Sequence, residues 1–222
     1  MISQDRIQAI LDRLVEYTDG GATCALPMRW FSRALEQTSL LGGLAEGAVE
    51  IGVRGGGLSA MFCEIAKLEA PLQFKVMSVD PWGGAPYFAP SPAYQFVYDE
   101  AWYVKAKAVL AGYENSILFC MTAESFVTSV LPSFRWWHKG IEHPGHKRFL
   151  SFAYLDGCHE NTFVMQEALG VLPYMLPGAV LAVDNADYCI EAVAMLSASR
   201  RYKLECFENG GDPHRAAFTF TL

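Results

Sequence analysis

Val49-Glu50-Ile51-Gly52-Val53-Arg54-Gly55-Gly56-Gly57-Leu58-Ser59 is the stretch on which the fold turns. An apolar run ends, glycines follow, and a helical pattern begins at Leu58. A strand joined to a helix in this way turns tightly and leaves free N–H groups and a helix N-terminus facing a ligand. In an open α/β sheet that ligand sits beyond the carboxyl ends of the strands. The glycines alone do not say which ligand, because nucleotide cofactors of several kinds use such a turn.

Outward from this turn, apolar runs alternate with helical patterns. Strands are expected over 48–53, 74–80, 116–121, 149–155 and 179–183, with helices over 58–68, 94–111, 160–174 and 188–200 and a short one from Glu124. Two last strands, 202–207 and 216–222, are joined only by the turn 208–213 and must be antiparallel. The expectation is a doubly wound α/β fold: a mostly parallel seven-stranded sheet with a C-terminal antiparallel strand. Residues 1–47 read as an N-terminal helical extension, packed on the sheet edge or over the site, within one domain spanning 1–222.

Composition narrows the function classes. Apolar residues make up 52% of the 222 and charged residues 18%, the balance of a globular chain. The net charge of −7 disfavours a polyanionic partner such as nucleic acid. Cysteines at 24, 63, 120, 158, 189 and 206 show no metal-site spacing and read as small buried hydrophobes in a reducing compartment. The first residues form a charged amphipathic helix rather than a signal peptide or membrane span, so the expected location is the cytoplasm. The expected partner is a small molecule, with no nucleic acid and no membrane, and with room for a homo-oligomer.

Two acids make the ligand more specific. Glu50 stands just before the turn, suited to the cationic end of an amino-acid-like ligand, and Asp80 closes the second strand, suited to ribose hydroxyls. S-adenosylmethionine (SAM) carries an ammonium, a sulfonium and a ribose. A dinucleotide carries a pyrophosphate, which an acid beside the turn would repel. Glu50-x-Gly52-x-x-x-Gly56, followed by an acid at the next strand end, resembles motifs I and II of class I SAM methyltransferases. That resemblance implies a SAM site built from Glu50, Gly52, Gly56, Ser59, Asp80 and Trp82, with Ala123 and Glu124 near adenine and Asp156 at its far side.

Beyond the fourth and fifth strands come Asp156-Gly157-Cys158-His159 and Asp184-Asn185. These strand ends are expected to be neighbours, and their oxygens suit Mg²⁺ or a similar hard cation. Asp-Gly-x-His, with Pro177-Gly178 through Asp184-Asn185, resembles a family containing macrolide sugar O-methyltransferases, over about residues 48–190. The resemblance implies metal ligands at Asp156, Asp184 and Asn185, with Asp156 and His159 catalytic and His159 the general base. Asn185 departs from the acid common in that family and removes a negative charge from the expected site.

The aromatic segment 81–90 is expected to be either a lid or an ordinary loop. The basic, histidine-rich segment 135–148 reads as a solvated insertion or subunit contact, and His214 and Arg215 as substrate contacts. Two other functions compete: an NAD-dependent oxidoreductase, which Glu50 and the terminal hairpin oppose, and a non-catalytic protein on the same fold.

Overall fold

The computed structural model describes residues 2–18, 21–42, 45–82, 100–134, 148–208 and 215–221. β1 (Gly47–Ile51) and β4 (Leu150–Leu155) are buried at every position. Strands buried along their whole length require helices over both faces of the sheet. The remaining strands are β2 (Lys75–Asp80), β3 (Ser116–Cys120), β5 (Met175–Val183), β6 (Tyr202–Glu208) and β7 (Arg215–Phe220), in the order β3-β2-β1-β4-β5-β7-β6.

The chain works outward from β1 to β3, then returns to β1's other side with β4. Right-handed crossovers running in opposite directions put their helices on opposite faces. One layer holds α1 (Gln4–Leu14), α2 (Gly21–Leu40) and α3 (Gly57–Glu69), in mutual contact, with α4 (Glu100–Leu110) against α3. The other holds α5 (Asn161–Val171) and α6 (Ile190–Ala198). Aromatic rings weld the first layer to the sheet: Phe62 of α3 lies 5.1 Å from Phe31 of α2 and 5.3 Å from Phe152 of β4. Edge-to-face pairs at such distances add to the burial of the rings themselves.

The sheet is the expected one, seven-stranded and mostly parallel. Of the two placements expected for the amino-terminal helices, sheet edge or over the site, the edge is excluded: α2 lies over β4 and β5, at the middle of the sheet. The expected C-terminal antiparallel strand is β7, which inserts between β5 and β6 and pairs antiparallel with both. β5 also starts four residues before the expected 179, with the register against β4 broken between Leu150 and Phe152 and Gly178 at φ 80°. Among the described residues no helix is long and apolar enough to cross a membrane.

Candidate functional site

The strand register assembles the site. Ile51 pairs with Val79 and with Leu155, and Leu155 pairs with Val183. One residue further on, Gly52 donates to Val79 O, Asp156 to Ile51 O and Asp184 to Leu155 O. Asp80, Gly52, Asp156 and Asp184 therefore form one row across the carboxyl edge, at the β1/β4 switch point where open sheets bind ligands. Side chains two residues back on each strand share the same face. They are Ser78, Glu50, Tyr154 and Ala182, with Glu50 paired to both Ser78 and Tyr154.

On the β2 side, Asp80 is nearly fully buried and held inside the glycine turn. Its Oδ2 accepts the N–H groups of Val53 (3.0 Å) and Arg54 (2.9 Å), and its Oδ1 that of Trp82 (3.2 Å). Burial pushes its pKa up, against the pull of these backbone donors. Trp82 closes the turn: its indole Nε1 donates to Arg54 O (2.9 Å), and its ring lies 5.3 Å from that of Tyr103. With Val53 and Ala106 it makes a small apolar cluster backed by Trp102, over which the Arg54 guanidinium stacks.

Glu50 and Ser59 lie one layer below. Ser59 Oγ donates to Glu50 Oε2 and lies 2.6 Å from Ser78 Oγ. Burial raises the Glu50 pKa to about 8; the Ser59 hydrogen bond opposes the shift and the charges of Asp80 and Asp184 add to it. Glu50 is thus an acid among acids, mostly protonated at neutral pH, that a nearby cation would ionise. Gly52 and Gly56 both have left-handed backbones, at φ 90° and 82°. What approaches them among the described residues is the protein itself. A Cβ on Gly52 would stand 2.0 Å from Asp156 O, and one on Gly56 would stand 3.1 Å from Ala106 Cα. Ala123 and Glu124 open the short helix Ala123–Ser125 after β3, beside Asp80, whose carbonyl accepts from Met121 N.

On the β4 side, Asp156 is half-buried and borders Asp184. Burial, then the charges of Asp184 and Glu50, push the Asp156 pKa well above the usual carboxyl value. His159 is buried, with Nε2 3.9 Å from Asp156 Oδ1. Burial pulls its pKa below 6.5, against the charges of Asp184 and Asp187, so the imidazole is neutral at physiological pH. Asp184 Oδ1 accepts from Tyr154 OH (2.8 Å) and from Arg215 Nε.

The expected divalent-cation site does not fit these residues. Asp184 spends its charge on the Arg215 guanidinium, and among the described residues no three His, Cys, Asp or Glu side chains group as a metal site. Asn185, at φ 47°, gives its backbone carbonyl to Tyr188 N. Ser78, Tyr154 and Glu167 were not anticipated. Two of them, Ser78 and Tyr154, follow from the period of two that also links Glu50 to Gly52. Glu167, on α5, faces Gly157, and burial lifts its pKa to about 8. The greater part of 81–90, nearly all of 135–148, and His214 lie outside the described residues.

A model of the methyltransferase-domain family matches residues 49–186, more than half of the chain. No curated protein sequence matches it. Among solved structures, the calicheamicin methyltransferase CalS11 is 16% identical, with a TM-score of 0.63 over 99% of this chain and 94% of that one. Its apo form is described as a TDP-rhamnose 3'-O-methyltransferase. The O-methyltransferase NovP is 14% identical, with a TM-score of 0.60 over 88% of this chain and 80% of that one. The O-methyltransferase TomG from Streptomyces achromogenes, solved with SAM, is 14% identical, with a TM-score of 0.56 over 86% and 79%. At these identities the likeness is one of fold.

Proposed function

The chain belongs to the methyltransferase-domain family, and from that premise we propose that it moves the methyl group of SAM onto a hydroxyl of a small metabolite, a sugar foremost. The observation that carries this is the row at the carboxyl edge. A carboxyl seated in the glycine turn stands on one side of the switch point, and a buried histidine beside two carboxyls stands on the other. SAM, when bound, supplies a methyl group already activated by its sulfonium, so the protein has to align and to remove a proton.

Asp80 would accept from a ribose hydroxyl with the one lone-pair site its backbone donors leave open. A carboxylate offers about four lone-pair sites, and backbone donors engage three. Glu50 would offset the ammonium, which supplies the cation its neighbours lack. Trp82, Ala123 and Glu124 border the same side and would meet the adenosine end. His159 would accept the acceptor's hydroxyl proton as the oxygen bonds to carbon. Its lowered pKa keeps it in the basic form, and Asp156 nearby would stabilise the imidazolium that forms. Sugars come first among acceptors because the structural neighbour CalS11 is described as acting on TDP-rhamnose.

The experiment is incubation with methyl-labelled SAM and a panel of sugar nucleotides, free sugars and catechols, read by mass spectrometry. A sugar product carrying the labelled methyl in place of one hydrogen, formed far more slowly by His159→Ala, supports the reading. Labelled catechol without labelled sugar would move the acceptor class. No transfer despite tight SAM binding would favour a non-catalytic member of the fold.

A further inference from the structure

The pairing of Asp184 with Arg215 has a topological cause. β7 runs antiparallel to β5 with Val183 opposite Ala216, so the residue after β5 faces the residue that opens β7. That residue is Arg215, which is nearly fully buried. Burial works against its charge, but the Asp184 carboxylate beside it outweighs that effect, so the guanidinium stays cationic. β7 sits between two strands rather than at the edge, which fixes this cation in place. A divalent ion bound through Asp184 would have to break this pair or tolerate a permanent positive charge beside it.

We propose that Arg215 is the built-in counter-ion of the acceptor site, standing in the place a divalent cation would take between the acids after β4 and β5. It is a positioning residue. It neutralises Asp184 so that Asp156 and Asp184 can adjoin beside His159 without a metal, and it does so through geometry that the sheet register imposes. Asn185 then needs no charge, which accounts for an amide where a metal site would favour an acid. This inference rests on the proposed acceptor pocket, but its test needs no acceptor.

The test is Mn²⁺ titration of the whole chain, followed by electron paramagnetic resonance, on wild type, Arg215→Met, Arg215→Lys and Arg215→Met/Asn185→Asp. The expected result is no Mn²⁺ binding by wild type or by Arg215→Lys, which keeps the positive charge. Arg215→Met frees Asp184 and should bind, and adding Asn185→Asp should tighten that binding about tenfold, as an added ligand charge does. Thermal melts with and without Mn²⁺ read the same contrast as stabilisation of the two Met variants only. Mn²⁺ binding by wild type overturns the inference, whether or not the variants fold. A folded Arg215→Met that gains no Mn²⁺ overturns it equally. If Arg215→Met does not fold, Arg215→Gln is read in its place by the same criteria. Failure of methyl transfer, with these results intact, would count against the proposed reaction and not against Arg215.

Discussion

Glu50 offers a test whose size follows from its surroundings. The side chain is buried and its pKa is raised to about 8 by burial, with the Asp80 and Asp184 charges adding and Ser59 opposing. If the ionised form is the one that receives the ammonium of the ligand, affinity scales with the ionised fraction. That fraction is about 1% at pH 6 and about one half at pH 8, so S-adenosylhomocysteine should bind about 50-fold more tightly at the higher pH, or about 2.3 kcal/mol. The assay is calorimetric titration across that range in buffers of differing ionisation enthalpy, which also counts the proton released on binding. Glu50→Gln mimics the neutral acid and should lose both the pH dependence and the released proton. An unchanged pH profile in Glu50→Gln would refute the assignment. The same shift acts on stability. A carboxyl raised in the folded state contributes stability that is full below pH about 4.5 and is lost as pH climbs to about 8. Glu50→Gln should therefore flatten the fall in melting temperature over that window.

Other substitutions separate the roles at the edge. Asp80→Asn removes the charge and sets an amide NH₂ against at least one backbone N–H, so it should lower the melting temperature and weaken S-adenosylhomocysteine by about 1.5–3 kcal/mol in calorimetry if the ribose bond is charge-assisted; Asp80→Ala should lower the melting temperature further, because three backbone N–H groups lose their acceptor. Gly52→Ala drives a Cβ into Asp156 O and should cost about 3 kcal/mol or more in denaturant unfolding, so unchanged stability would contradict the packing described. His159→Ala should slow methyl transfer about 10²–10⁴-fold while leaving S-adenosylhomocysteine affinity alone. In wild type, the rate should rise with pH through a midpoint below 6.5 and then level off, because burial lowers the His159 pKa and the neutral imidazole is the base.

The carboxyl edge was readable because β1, β2, β4 and β5 each end where an apolar run meets an acid or a glycine. Glu50-Ile51-Gly52, Val79-Asp80, Leu155-Asp156 and Val183-Asp184 mark the carboxyl edge directly, and register then lines them up. The position of β7 was not readable. A short turn says that β6 and β7 are antiparallel neighbours, but not which of them lies against β5. That choice decides the chemistry, since it is β7 that carries Arg215 to Asp184. Read by type and spacing, Asp156, Asp184 and Asn185 are a hard-cation set. A cation arriving from 31 residues away along the chain leaves no local trace. Ser59 was similarly legible as part of the turn but not in its partner, because Glu50 turns down into the core to meet it.

Calorimetric titration of the purified protein with S-adenosylhomocysteine and, separately, with NAD⁺ at one pH is the most direct test of a SAM site at the glycine turn. The expected result is saturable binding of S-adenosylhomocysteine that falls sharply in Asp80→Asn, with no heat from NAD⁺. Binding of NAD⁺ in preference to S-adenosylhomocysteine, or S-adenosylhomocysteine affinity indifferent to Asp80→Asn in a folded protein, would contradict it.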